Sequence, residues 1–291
     1  MDWLEKLSLG AWKYRSILSK SGGPIERLAS REIQLPTGQA FEVLAYLKPE
    51  LTEVSQHQIY GSADGSGTDK RFSVACNKAI SEALERWAFY NLCDSEHAKL
   101  YGFDREPSTT GMAAFPGLFR NSAKRIAYFE AIERWSLTWW WENGLPSRRL
   151  DQINGIELIT PWSSESSTVI LWTDKAPHAY GFAAGTHLKK AIAKAQIELQ
   201  RNQVVLGNGD LPEVDSIQEK RLINFAREEG FNLFMKRVEK SKVLLTVPER
   251  PLLIINREVD GPWSRYATVW RCLFDPVSRR HLGSDVDYFL F

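Results

Sequence analysis

The stretch that decides the fold is residues 75–87, which reads ACNKAISEALERW. It recurs at residues 123–135 as AKRIAYFEAIERW and, in part, at residues 191–202 as AIAKAQIELQRN. All three copies share the pattern Ala-x-x-x-Ala-x-x-Glu, and the first two continue identically as x-x-Glu-Arg-Trp. Self-similarity of this kind predicts one structural unit that is used three times along the chain.

Each copy predicts a helix with two different faces. At 100° per residue, Ala75, Ala79, Glu82 and Arg86 fall on one narrow stripe, and Glu85 lies beside it. The opposite side of the first copy carries the larger apolar residues Phe72, Cys76, Ile80, Leu84 and Trp87. We therefore expect an apolar face in the core and an alanine face that lets another backbone or a ligand come close.

The chain around these helices predicts strands and short loops. A stretch of small residues precedes each helix, at residues 65–67, 111–114 and 181–184. Strands are predicted at residues 41–47, 169–173, 242–247, 251–255 and 266–270, a helix at 216–229, and a surface loop at 104–110. The fold class is therefore α+β, with mixed or antiparallel sheets flanked by helices and three related strand–loop–helix segments.

The composition is that of an ordinary globular protein. The 291 residues are 43% apolar and 25% charged, and the formal net charge of +1 favours neither nucleic acid nor an anionic membrane as a partner. No apolar run is long enough to span a membrane, and we expect no signal peptide. Its three cysteines are odd in number and form no Cys-x-x-Cys pair, so we expect a reducing, cytoplasmic location.

The repeated glutamates are the candidate chemical feature. Glu82 and Glu85 are three residues apart, as are Glu130 and Glu133, so each pair lies on one side of its helix. If the two helices pack side by side, four carboxylates converge and repel one another. A magnesium ion would relieve this repulsion, because it prefers oxygen ligands and commonly shares them with phosphates.

Surface salt bridges are the simpler interpretation of the same residues. Glu82–Arg86 and Glu130–Arg134 are i, i+4 pairs in the favourable order, and exposed pairs of this kind are common and weak. The repetition with matching alanines and a following tryptophan argues against that interpretation. The sequence lacks a P-loop, a His-Glu-x-x-His motif and the Glu-x-x-His motif of di-iron bundles.

At these segments the sequence resembles the YcaO family. The resemblance rests on residues 65–68 leading to 83–86, residues 111–114 leading to 130–134, and residues 181–185 leading to Ala195 and Glu198. It covers about residues 60–205. It implies a single YcaO-like domain over residues 1–291, with a motif-bearing core at 60–205 and a C-terminal α/β portion at 206–291.

The resemblance implies an ATP site. Members of the family use ATP to activate a peptide-backbone amide, and a Cys, Ser or Thr side chain or a sulfur source then adds to give an azoline or a thioamide. The implied magnesium ligands are Glu82, Glu85, Glu130 and Glu133. The implied nucleotide site consists of these four together with Arg86, Arg134, Glu198, Arg201, Ser66 and Lys70. The resemblance assigns no catalytic residue.

Several positions depart from the family pattern. Ser66 stands where the family often has a phosphate-facing lysine, and Lys78 stands where it usually has serine. Ser122, Ile126 and Gln203 replace a glutamate, a glutamine and an arginine. Lys70 and Lys78 are the two candidates to replace the missing lysine.

The sequence leaves two functions open. One is an ATP- and Mg²⁺-dependent enzyme that modifies a peptide by cyclodehydration or thioamidation. The other is a catalytically inactive YcaO relative that binds a peptide or a partner protein. The candidate partners are a peptide or protein substrate, an E1-like protein and a second copy of the chain in a homodimer.

Overall fold

The computed structural model describes residues 14, 16–35, 38–53, 63–117, 119–160, 166–207, 216–240 and 250–291. The chain folds into two compact units. Unit 1 contains residues 1–131 and 253–273, and unit 2 contains residues 132–252 and 274–291. The single domain over residues 1–291 remains a prediction of the sequence.

The described parts of the chain contain ten strands and seven α-helices. The strands are β1 (Ile25–Leu35), β2 (Gly38–Leu47), β3 (Gly65–Asp69), β4 (Met112–Pro116), β5 (Ser147–Arg149), β6 (Gly155–Leu158), β7 (Ser167–Trp172), β8 (Tyr180–Gly185), β9 (Leu252–Glu258) and β10 (Ala267–Asp275). The helices are α1 (Pro49–Thr52), α2 (Phe72–Leu92), α3 (Arg120–Asn143), α4 (Leu188–Leu206), α5 (Ile217–Ala226), α6 (Glu228–Lys240) and α7 (Arg279–Leu282). None of the helices in these described ranges is both long enough and apolar enough to cross a membrane.

Unit 1 is built around α2. The described strands form one sheet in the order β1-β2-β3, with antiparallel neighbours, and a second in the order β4-β10-β9, in which β4 and β10 are antiparallel. The predicted apolar face of α2 is confirmed, because Cys76, Ile80, Leu84 and Trp87 are buried in the unit 1 core and Phe72 packs against it. The α+β fold class is confirmed as well.

The alanine face of α2 lies directly on the backbone of β3. A Cβ atom added to Gly65 would come within 2.1 Å of the carbonyl oxygen of Ala79, and one added to Gly67 would come equally close to that of Ala75. The third segment repeats the arrangement, since a Cβ on Gly181 of β8 would lie 2.1 Å from the carbonyl oxygen of Ala195 on α4. Helix and strand therefore touch through their main chains, which only residues without bulk at the contact permit.

Unit 2 contains an antiparallel sheet of the described strands in the order β5-β6-β7-β8, with α4 packed on it. Its core is aromatic: Trp140 and Tyr180 contact both Phe234 and Phe289. Trp140 is fully buried in this core, and Trp139 packs against it.

A buried arginine holds the last residues of unit 2. Arg221 is fully buried and donates hydrogen bonds to the backbone carbonyls of Arg280, His281, Gly283, Asp285 and Leu290. These bonds satisfy its five N–H donors without a carboxylate partner. The guanidinium thereby fixes the path of the segment that delivers Tyr288 and Phe289 to the core.

Most predicted elements are confirmed. The strands expected at residues 41–47, 169–173, 251–255 and 266–270 correspond to β2, β7, β9 and β10, whereas 242–247 lies outside the described residues.

The helix predicted at residues 216–229 is confirmed except at Arg227, where the chain is extended. The chain forms α5 and α6 with an extended residue, Arg227, between them. Gly230 permits this break, because a Cβ there would lie 2.3 Å from the carbonyl oxygen of Asn224.

The main-chain contact between α2 and β3 gives a stability prediction. We expect Gly65→Ala to destabilise the protein by about 2 kcal/mol, because the new methyl group forces helix and strand apart. Urea denaturation monitored by circular dichroism measures the change. Gly283→Ala is the matched control, because its Cβ would make ordinary contacts from 3.4 Å outward. Equal effects of the two substitutions would contradict the proposed constraint.

Candidate active site

Unit 1 contains a cavity of about 980 Å³ that α2, β4 and the first turns of α3 surround. One part of its wall is acidic and comes from Glu82, Glu85 and Glu130. The remainder is largely apolar and includes Val74, Met112, Ala113, Ala114, Phe115, Pro116, Phe119 and Ile126. A pocket of this size with a few convergent polar groups has the character of a small-molecule site.

The strand contact orients the first glutamate. Oε2 of Glu82 accepts hydrogen bonds from the backbone N–H of Ser66 at 3.0 Å and from its hydroxyl at 3.1 Å. Arg86 donates to Oε1 of Glu82 at 3.1 Å and to the carbonyl oxygen of Ala63 at 2.7 Å. Ser66 and Arg86, both predicted as site residues, thus hold Glu82 in one orientation.

Glu85 and Glu130 form a carboxylate pair. The side chain of Glu85 faces the cavity, yet protein atoms surround it closely. Burial raises its pKa well above the usual range, the charges of Glu130 and Glu82 raise it further, and Arg86 and Arg271 offset this only in part. Like charges that disfavour each other's ionisation create a preference for a bound cation.

Arg271 supplies a fixed positive charge behind this pair. It is fully buried on β10 and donates to the carbonyl oxygens of Tyr101, Glu106, Ser108 and Thr110. Its guanidinium also lies 4.4 Å from the ring centre of Phe103. These bonds explain why the predicted loop at residues 104–110 is not wholly at the surface, because Glu106 and Thr110 are buried around the guanidinium.

A second carboxylate pair lies in unit 2. Oε2 of Glu133 accepts a hydrogen bond from the backbone N–H of Ala184 at 2.6 Å, and Oε2 of Glu198 accepts one from Phe182 at 3.1 Å. Burial raises the pKa of Glu198 to about 8, with a further contribution from the charge of Glu133. Burial also raises the pKa of Glu133, although the Ala184 bond, Lys194 and Arg134 oppose this.

The two units repeat the same local geometry. The bonds Ser66–Glu82 and Phe182–Glu198 both join a strand N–H to a helix glutamate 16 residues later. The Nζ atoms of two lysines likewise donate to strand carbonyls ten residues earlier. Lys78 reaches Thr68 at 2.8 Å, and Lys194 reaches Ala184 at 3.2 Å. The sequence repeat is therefore also a repeat of hydrogen bonds.

The remaining predicted residues have different surroundings. Nη1 of Arg134 is buried and has no hydrogen-bond partner among the described residues. Arg201 lowers the pKa of Glu198 through its charge. Lys70 is exposed beyond the end of β3 and is not among the cavity-lining residues. Nucleotide contacts by these residues remain predictions of the sequence.

Sequence reasoning missed Arg271, although a signal was present. It is a single charged residue within the apolar run Val269-Trp270-Arg271-Cys272-Leu273 of β10. A charge in a buried strand requires several partners, and here they are backbone carbonyls from a distant loop.

Comparison with known proteins identifies the fold. No family model matches the sequence, and no curated protein matches it either. Solved structures do match, among them the structure of YcaO from Methanopyrus kandleri bound with AMPPCP and Mg²⁺. That match has a TM-score of 0.51 and 13% sequence identity, and it covers 89% of this chain and 87% of the other. The chain has the YcaO fold.

The YcaO fold confirms the resemblance that the three segments carry. The match extends beyond residues 60–205, where the sequence similarity lies, to most of the chain. At this level of identity the match establishes the fold. AMPPCP and Mg²⁺ are ligands of the Methanopyrus kandleri protein.

The residues of unit 1 fit a magnesium ion held together with phosphates. No three His, Cys, Asp or Glu side chains within the described ranges form a ready-made metal centre. Magnesium bound with a nucleotide needs only one or two carboxylates, since phosphates and water complete its shell. The repulsion between Glu85 and Glu130 in the acidic part of the wall suits such a cation.

The Arg271 network gives a second stability prediction. Arg271→Met should destabilise the protein by roughly 4 kcal/mol, because four buried carbonyl groups lose their donor. Thermal and urea unfolding measure the loss. Arg257→Met is the control, since Arg257 is exposed and lies over the ring of Tyr101. A loss for Arg271→Met no greater than that of the control would refute the account.

Glu198 gives a pH prediction. A carboxyl whose pKa is higher in the folded than in the unfolded state does not lower the free energy of unfolding while it is protonated in both states. It lowers that free energy as the pH rises above the pKa of the unfolded state. Because the pKa of Glu198 is about 8, stability should fall as the pH rises from about 5 to 8. Glu198→Gln should flatten this slope in urea titrations at several pH values, whereas the exposed Glu96→Gln should keep it. Parallel curves for Glu198→Gln and the unsubstituted protein would contradict the assignment.

Proposed function

We propose that the protein binds ATP with Mg²⁺ in the cavity of unit 1 and uses it to activate a peptide-backbone amide. The observation that carries the proposal is the pair Glu85 and Glu130, which lines this cavity together with an oriented Glu82 in a chain with the YcaO fold. In this proposal the reaction is a cyclodehydration or a thioamidation of a peptide in the cytoplasm. The burial of all three cysteines as free thiols is compatible with that compartment.

The charged residues at the cavity would have different roles. Glu85 and Glu130 would hold the cation, and Glu82, which Ser66 and Arg86 fix in one orientation, lines the same cavity. Bound Mg–ATP would supply the phosphoryl group that turns the amide oxygen into a leaving group. Arg271 limits the repulsion between the carboxylates from behind, so that they can be ionised when a cation arrives.

The apolar wall suits a peptide. Phe115, Phe119 and Ile126 line the cavity, and both Phe119 and Ile126 are exposed. Apolar side chains of a substrate would pack there and exclude water from the reacting amide.

Two observations favour a second candidate function, a YcaO relative that binds a peptide without catalysis. Glu82 already has hydrogen-bond partners in Ser66 and Arg86, and Ile126 extends the apolar wall at a position where the family has a polar residue. In that case the cavity receives apolar side chains, and nucleotide has no role.

Calorimetric titration with Mg–ATP tests the proposal. The unsubstituted protein should bind, and Glu130→Gln should weaken binding by about tenfold or more, because the cation loses a charged ligand. Glu96→Gln is the matched control, since the side chain of Glu96 is 88% exposed and lies outside the cavity. Unchanged binding in Glu130→Gln would contradict the site.

Turnover separates the two candidate functions. Phosphate release from ATP that a peptide substrate stimulates supports the enzyme. Absence of heat with millimolar Mg–ATP, combined with binding of apolar peptides, supports the non-catalytic relative.

A further inference from the structure

The unit 1 cavity carries more negative than positive charge. Its lining contains the carboxylates of Glu82, Glu85 and Glu130, and Lys78 is the sole cationic side chain among its described lining residues. A nucleotide polyphosphate remains an anion after it binds one magnesium ion. A cationic side chain of the protein would therefore favour the binding of such a ligand in addition to the metal.

Lys78 stands in a suitable place for that task. It lies on α2 one turn before Glu82, so both side chains project from the same side of the helix. Its Nζ atom donates to the carbonyl oxygen of Thr68 at 2.8 Å and to Oδ2 of Asp69 at 2.9 Å. These bonds place the ammonium group beside β3, the strand whose Ser66 orients Glu82.

The two bonds leave Lys78 able to take a ligand. An ammonium group has three N–H donors, and these bonds use two of them. The side chain is 48% exposed, and that of Asp69 is 25% exposed, so the ion pair is of the weak, solvated kind. A phosphate oxygen can accept the third donor without the loss of the bond to Thr68.

Comparison with the third repeat shows that the lysine bond to a strand carbonyl occurs in both repeats, whereas the bond to Asp69 belongs to the first. Lys194 makes the same kind of bond to the carbonyl oxygen of Ala184. Where Asp69 follows Thr68 in the first repeat, Gly185 follows Ala184 in the third, so Lys194 lacks the second anchor. Asp69 therefore belongs to the first repeat only, and its bond to Lys78 further fixes the position of the ammonium group.

We propose that Lys78 binds a phosphate oxygen of the nucleotide in this cavity. It would take the role of the phosphate-facing lysine that the family resemblance leads one to expect at position 66. The inference rests on the proposed function, because it requires a nucleotide in the unit 1 cavity. It selects Lys78 over Lys70, which is exposed and does not line the cavity.

Titration of lysine variants tests the role of Lys78. Lys78→Met should weaken the binding of Mg–ATP by about tenfold, since a charge-assisted hydrogen bond is lost. Lys78→Arg should restore most of the affinity. Lys99→Met is the matched control, because Lys99 is exposed and does not line the cavity, and it should bind like the unsubstituted protein. Binding of Mn²⁺ alone, measured by electron paramagnetic resonance, should be the same in Lys78→Met and the unsubstituted protein.

The possible outcomes are distinguishable. If the unsubstituted protein binds Mg–ATP and Lys78→Met binds it equally well, the inference is wrong and the proposed function stands. A loss of affinity in Lys70→Met alone also overturns it, as does an equal loss of Mn²⁺ binding in Lys78→Met, which would place the effect on the carboxylates. If the unsubstituted protein binds no Mg–ATP, the proposed function fails and the inference fails with it. Lys78→Gln, which keeps an N–H donor for Thr68, should repeat the loss in a protein with unchanged circular dichroism.

Discussion

The structure of unit 1 depends on one steric constraint, the contact between the main chains of α2 and β3. Alanines on the helix and glycines on the strand leave no side chain between them. The contact brings a strand N–H group within reach of Glu82, whose carboxylate it orients. The contact that packs the helix on the strand therefore also positions Glu82, a candidate magnesium ligand. A bulkier residue at Gly65 would disturb both.

The repeat places acidic side chains in pairs in each unit. Glu85 meets Glu130 in unit 1, and Glu133 meets Glu198 in unit 2, so a glutamate of one segment is always next to a glutamate of the following one. Burial raises the pKa of Glu85, Glu133 and Glu198, and like charge raises the pKa of Glu85 and Glu198 further. A fold that keeps such pairs has either a cation or a proton to offset them. The proposal assigns the cation to unit 1.

The sequence predicted those features that local periodicity encodes. The register of Ala75, Ala79 and Glu82 gave the helix face correctly, and alternation or apolar runs gave four of the strands. The pairing of Glu85 with Glu130 depends on how α2 and α3 pack, which periodicity within one helix does not contain. The break at Arg227 was missed because Gly230 is a contact point for Asn224, and the apolar pattern continues across it. Arg271 was missed because its partners lie some 160 residues away in the chain.

Arg221 and Arg271 have in common that their hydrogen bonds go to backbone carbonyl oxygens. Every residue type carries that oxygen, so a guanidinium that recognises it is indifferent to which side chains the bound segment displays. The exposed side chains of residues 101–110 and 280–290 can therefore change while these segments follow the same path. Two such arginines therefore hold two segments in place through atoms that every residue of those segments possesses.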